Sequence, residues 1–381
     1  MNLNLPLSHP NICLSLFVSI FLLSCAGINT TQDMNTVITS TGIAQGGIKD
    51  EVISWEDIPY ALPPIGDLRW RAPRSYQDQT TALSAKDGNG CLQEPSIYGG
   101  IPGKGIVGQE DCLYLDIQVP EKPSNKSLPV MFWIHGGGNT SGIKDYYDFS
   151  ALVKEQQVVI VKINYRLGPM GWFTHPGIQG LQEGMDKTSN FGTLDIIEAL
   201  RWVKINIASF GGNPGNVTIF GESAGGHNVL TLLASPLSQG LFHKAISQSG
   251  YTTSFTKAEA IGINASNQTV NSLGSESILQ QHDNTSYQSI KNLYLQDPEQ
   301  HKRSYQAYLR SIDGKELLAT YKEIADDTYD RIPLVTRDGV VIPLSGIQAA
   351  LKDPANKKNI PVMAGSNKDE LSLWLGANRY F

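Results

Sequence analysis

The sequence predicts an α/β fold built on a mostly parallel central sheet with helices on both faces. Three observations carry this. Short apolar runs recur at Val130–Ile134, Val158–Ile163, Val217–Phe220, Ala245–Ser247 and Ile360–Ala364. They are nearly continuous rather than alternating, as expected of strands covered on both sides. Helical stretches fall between them, and strand–helix alternation implies parallel strands joined by crossovers.

The elements follow in order. Residues 1–25 contain the apolar run Ile12–Leu23, which is the length of a signal-peptide core and too short to span a bilayer. It ends in Leu22-Leu23-Ser24-Cys25-Ala26, which fits a lipobox with Cys25 lipidated or an ordinary secretory signal cut at small residues. Both readings make the protein exported, periplasmic or secreted, and the lipobox reading adds membrane attachment through a lipidated Cys25. Residues 26–36 read as a polar tether. From Val37 the pattern is strand-like, and the prolines of Ile58-Pro59-Tyr60-Ala61-Leu62-Pro63-Pro64 force an extended segment. Thr193–Ile207 reads as an amphipathic helix with Leu194, Ile197, Leu200, Val203 and Ile207 on one face. Residues 255–330 are polar and irregularly helical, a helical insertion within one domain spanning 37–381.

Composition narrows the function. With 381 residues, the chain can bury one large core or two small ones. A net charge of −6 without a basic stripe argues against nucleic acid as a partner. Of four cysteines, Cys13 and Cys25 lie in the leader. In an exported chain Cys91 and Cys112 are most simply one disulfide. No cluster has metal-ligand spacing, and no cofactor is implied.

Two segments carry chemistry. Gly221-Glu222-Ser223-Ala224-Gly225-Gly226 follows the run Val217–Phe220 and precedes a helical stretch, Gly226–Ala234. Such a Gly-x-Ser-x-Gly turn holds a serine hydroxyl clear of its own backbone. His135-Gly136-Gly137-Gly138 follows Val130–Ile134, a loop of the kind whose amides stabilise a developing oxyanion.

With these motifs the chain resembles the type-B carboxylesterase family, which includes the cholinesterases, and so an α/β-hydrolase fold. The resemblance also rests on Ile58–Pro64 with Leu68-Arg69-Trp70, on Glu110-Asp111-Cys112-Leu113-Tyr114-Leu115-Asp116 and on Asn164-Tyr165-Arg166-Leu167-Gly168. Asn190-Phe191-Gly192 with Asp195, Phe210-Gly211-Gly212-Asn213-Pro214, Gln248-Ser249-Gly250 and Gly365-Ser366-Asn367-Lys368-Asp369-Glu370 complete it. Departures are Asp57 where the family has glycine, Asn213 for aspartate and Ile196 for glutamine.

The resemblance implies a carboxylic-ester hydrolase acting on small-molecule esters. Ser223 is then the nucleophile, with Gly137, Gly138 and Ala224 giving oxyanion amides. Glu370 is the acid, with Asp369 as the alternative. Glu222 tunes the site electrostatically, Ser249 is a buried serine of the same hydrogen-bond network, and His135 braces the oxyanion loop. None of the seven histidines follows Glu370, where the family places its base. His227, four residues after Ser223, is expected to be carried beneath the turn by its helix. The expectation is a C-terminally truncated esterase with little activity and a poorly covered apolar strand at Ile360–Ala364. A non-catalytic, cholinesterase-like binding or adhesion protein is the alternative.

Overall fold

The computed structural model describes residues 35–83, 89–264, 266, 268–325 and 332–370. The leader, Cys25 and the tether up to residue 34 lie outside the described residues. Ten strands are described: β1 (Thr36–Thr39), β2 (Gly42–Gln45), β3 (Gly47–Lys49), β4 (Val52–Pro59), β5 (Tyr114–Pro120), β6 (Leu128–Ile134), β7 (Val159–Ile163), β8 (Gly212–Glu222), β9 (Lys244–Gln248) and β10 (Val362–Gly365). The α-helices among them are α1 (Ser150–Gln156), α2 (Gly168–Gly171), α3 (Pro176–Gln179), α4 (Phe191–Asn206), α5 (Ala224–Ala234), α6 (Lys257–Ile261), α7 (Ser275–Gln296), α8 (Pro298–Ser311), α9 (Gly314–Ala325) and α10 (Ile347–Lys352).

β1 and β2 form a separate hairpin, and the other eight strands make one sheet in the order β10-β9-β8-β6-β7-β5-β4-β3. The five strands from β10 to β7 are parallel. The other three, β5, β4 and β3, run antiparallel to their neighbours. Sequence patterning located the parallel strands within a few residues. It read only an extended segment where β4 ends and did not identify β5, whose seven residues are all buried.

Alternation along each central strand feeds two different cores. Val130, Phe132 and Ile134 of β6, Val159, Val161 and Ile163 of β7, and Val217 and Ile219 of β8 join the large core. Trp133, Ile160 and Phe220 point the other way, into a smaller cluster with Val153 of α1 and Phe149. Both sides of these strands are apolar because both are covered. Helix α4 departs from the amphipathic expectation, being buried on nearly every side and leaving only Arg201, Lys204 and Ile205 exposed. β10 sits at the sheet margin with all four residues exposed, Val362 at 50% and Met363 at 67%. No described helix is long and apolar enough to cross a membrane.

Many family-like motif residues are buried polar pairs that fasten loops to the core. Arg166 donates from Nε to Asp195 Oδ2 at 2.7 Å and from its terminal nitrogen to Oδ1 at 2.6 Å, and Asp195 is fully buried. Arg69 donates from Nε to Glu110 Oε2 at 2.7 Å. The tyrosine hydroxyl of Tyr60 donates to the Asn164 carbonyl at 2.7 Å. Cys91 and Cys112 are joined in a disulfide.

The three departures have local physical accounts. Asp57 lies at a bulge in the β4–β5 pairing with φ 57°, a left-handed conformation that favours glycine. Its N–H donates to Asp116 Oδ1 at 3.0 Å, and its carboxylate meets the buried Lys144 ammonium at 2.9 Å. Asn213 accepts from the Gly215 N–H at 2.8 Å, closing the turn that an aspartate would also close. Ile196 is fully buried in the core.

Removing the carboxylate from Asp195 leaves the Arg166 charge stranded in the interior. Asp195→Ala is expected to cost about 3–5 kcal/mol in urea unfolding, and a loss below about 1 kcal/mol would show that this pair does not hold the fold.

Candidate active site

Ser223 stands between the end of β8 and the start of α5, with φ 55° and ψ −118°. This is a strained backbone for a non-glycine residue, imposed by close packing. A Cβ on Gly225 would lie 2.0 Å from the Ile134 carbonyl oxygen of β6, and one on Gly221 would lie 2.5 Å from the Gly225 carbonyl carbon. Glycine at both positions lets α5 begin against the sheet, and the turn is pinned by the Ser223 N–H donating to Gln248 O at 2.9 Å. The His227 N–H donates to the Ser223 carbonyl at 2.8 Å, the first turn of α5.

The loop after β6 is shaped by the same logic. Gly137 and Gly138 have φ 97° and 66°. The Gly137 carbonyl is occupied by the N–H groups of Thr140 and Ser141 at 3.0 and 2.9 Å. The buried Gln93 clamps the loop at Gly142, accepting from its N–H and donating to its carbonyl, both at 2.9 Å. His135 is buried and stacked on Tyr165 at 4.4 Å between ring centroids, with Nδ1 2.9 Å from the Gly136 carbonyl. Burial pulls its pKa from 6.5 to about 4, so the ring is neutral and structural.

Glu370 lies at the rim. Its Oε1 accepts the Ser249 hydroxyl and the Asn367 N–H at 2.8 Å, and these hydrogen bonds, Ser249's first, hold its pKa below the ordinary value. Glu222 is shifted the other way, upward, by partial burial and then by the negative charge of Glu370. Ser249 is half-buried rather than buried, with φ 52° and its N–H donating to Gly365 O at 2.7 Å, which ties the end of β9 to β10.

A cleft of about 610 Å³ collects these groups: Gly138, Glu222, Ser223, Ser249 and Glu370 all line it. Ala224 is fully buried at the first position of α5, and Gly137 directly precedes Gly138. The cleft's apolar wall comes from Phe255, Leu334 and Val335, and its floor includes His227 and Tyr251. Sequence reasoning missed the last five as site residues. The signals were that His227 stands four residues after Ser223 and that Tyr251 follows Gln248-Ser249-Gly250.

His227, expected to be carried beneath the turn by its helix, is buried and also lines the same cleft as Ser223. The helix turns it toward the segment after β9, where its ring stacks on Tyr251 at 4.4 Å and its Nδ1 lies 2.7 Å from the Tyr251 carbonyl. Burial holds its pKa at about 4. The other described histidines are engaged elsewhere: His175 with the Tyr287 hydroxyl at 2.8 Å, His243 with the Val217 N–H at 3.1 Å, and His282 with the Thr320 hydroxyl at 3.1 Å. His301 lies within α8. Among the described residues no imidazole is hydrogen-bonded to Ser223 or Glu370.

A parallel sheet continued by antiparallel strands, with a serine on a left-handed strand-to-helix turn, is the architecture of an α/β-hydrolase. The chain belongs to the carboxylesterase family, whose model matches residues 33–379. It is 41% identical over 232 residues to the para-nitrobenzyl esterase of Bacillus subtilis (strain 168), covering 60% of this chain and 46% of that protein. It is 44% identical over 228 residues to the cocaine esterase of Oryctolagus cuniculus, covering 55% and 41%. Among solved structures, a PNB esterase superposes with TM-score 0.69 at 31% identity over 90% of this chain and 65% of that one. A Geobacillus stearothermophilus carboxylesterase gives TM-score 0.71 at 31% identity, covering 90% and 64%. The chain thus spans less than half the length of these curated relatives.

The two buried rings fix a sign for acid stability. Below pH 6.5 the unfolded chain protonates His135 and His227 while the folded chain resists until about pH 4. Their contribution is therefore complete above pH 6.5 and is lost as pH falls toward about 4, on the order of 3 kcal/mol per ring. His227→Gln should flatten the fall in unfolding free energy across that window, and an unchanged slope would refute the assignment.

Proposed function

We propose that this chain carries the acylating machinery of a carboxylic-ester hydrolase. The observation that carries the reading is Ser223 itself, held at φ 55° by glycine-permitted packing and opening into the cleft that Gly138 and Glu370 also line. In this reading the Ser223 hydroxyl oxygen attacks an ester carbonyl, and the alcohol departs to leave an acyl-serine that water hydrolyses. The amides of Gly137, Gly138 and Ala224 receive the oxyanion, each worth roughly 3–4 kcal/mol of transition-state stabilisation. Glu370, held by Ser249, is the carboxylate that would orient a proton-accepting imidazole. Glu222 adds negative potential beside the nucleophile. The apolar wall of Phe255, Leu334 and Val335 fits a small ester with an apolar portion. We read residues 1–25 as an export leader, which makes the working compartment extracytoplasmic.

The six described histidines are not bonded to Ser223, so acylation is the step to measure, with turnover expected to be slow. A fluorophosphonate probe should label Ser223 only slowly, because attack on phosphorus needs the same proton acceptor as acylation; peptide mapping locates the label, and Ser223→Ala should abolish it. Turnover of p-nitrophenyl acetate is expected on the order of 10⁴-fold or more below that of the Bacillus para-nitrobenzyl esterase assayed alongside. Equal labelling of Ser223→Ala would overturn the nucleophile assignment. Rapid Ser223-dependent turnover would show that one of the described imidazoles serves as base.

A further inference from the structure

A second cleft, of about 360 Å³, lies between the segment 67–74 and α8, and Arg71, Arg74, Arg303 and Arg310 line it. The one carboxylate in its lining is Asp67. Asp186 stands beside it and is already engaged by three donors. Its Oδ2 takes Arg71 at 3.0 Å and Arg74 at 2.5 Å, and its Oδ1 accepts the Ala72 N–H at 3.0 Å. Among the described residues Arg310 donates to neutral acceptors, the Arg69 carbonyl at 3.3 Å and Gln182 Oε1 at 3.1 Å. Arg303 is exposed one helical turn before Gln306 and Ala307 of the same lining. Gln306 adds a buried amide nitrogen with no hydrogen-bond partner among the described residues. Four guanidinium groups and one amide donor therefore converge with two carboxylates to offset them, in a chain whose net charge is −6.

We propose that this cleft is a binding site for a small multivalent oxyanion, a phosphoryl or polycarboxylate group. Guanidinium forks match such oxygens two at a time, and each bond is charge-assisted. The volume of about 360 Å³ suits a small molecule. A bound oxyanion would neutralise the mutual repulsion that, after burial, lowers the proton affinity of Arg310 beside Arg71 and Arg69. It would also give Gln306 its missing acceptor. The site shares no lining residue with the Ser223 cleft, so the proposal stands apart from the esterase reading.

Isothermal titration calorimetry of the intact chain at fixed ionic strength provides the test, with sodium phosphate, sodium citrate and sodium chloride as titrants. Single-site binding of phosphate or citrate, but not chloride, is expected, and the tighter of the two identifies the phosphoryl or polycarboxylate source. Arg303→Ala and, separately, Gln306→Leu should each weaken that binding about tenfold. Arg303 is exposed, so its variant should keep the wild-type melting temperature, which separates a binding defect from misfolding. No binding heat with either oxyanion, or undiminished affinity in both variants, would overturn the proposal.

Discussion

The structure depends on one close approach, the packing of the first turn of α5 against the backbone of β6. Gly225 has no room for even a methyl group beside the Ile134 carbonyl, and Gly221 in turn has none beside Gly225. With the helix start pressed onto the sheet, the connecting residue must turn in a left-handed conformation, and that residue is Ser223. The strain at φ 55° is sustained by ladder bonds on both sides of β8 and by the apolar residues buried beneath it. A flexible loop could not keep a hydroxyl in this position, because nothing would offset the local backbone cost.

Around this turn, charged and polar groups hold the loops to the sheet. Arg166 and Asp195 join the segment after β7 to α4. Lys144 is buried among Asp57, Asp116 and Asp145 at 2.8–2.9 Å and fixes the chain that leaves the glycine loop after β6. Burial acts to strip the Lys144 proton, but the three carboxylates outweigh it and raise the pKa. Gln93, two residues past the disulfide cysteine Cys91, clamps Gly142 on both its polar atoms. The cleft is thus framed by elements remote in sequence whose polar contacts leave little freedom.

How far the sequence revealed the site follows from which residues act locally. The strand–turn–helix around Ser223, the glycines after β6 and the acidic segment ending at Glu370 were all legible, because each is specified within a few consecutive residues. The half-buried state of Ser249 and the apolar wall of Phe255, Leu334 and Val335 were not. They come from segments brought together by the sheet order rather than by spacing. His227 shows the limit most clearly. Its distance of four residues from Ser223 was evident, yet its commitment to the Tyr251 carbonyl depends on where the segment after β9 crosses α5.

The amino-acid sequence by itself determined the parallel half of the sheet, the strand-to-helix turn at Ser223 and the family resemblance, since apolar run length and glycine placement are local constraints. It did not determine the antiparallel strand β5, whose motif residues mix charge with apolar character and hide its burial. It also read α4 as one-faced, because periodicity reports where apolar residues repeat but not how many neighbours surround a helix. Only the tertiary structure decided that Asp57 could stand at a glycine-like position. The compensating charge, Lys144, reaches it from a distant part of the chain, and such long-range pairing is set by the packed fold.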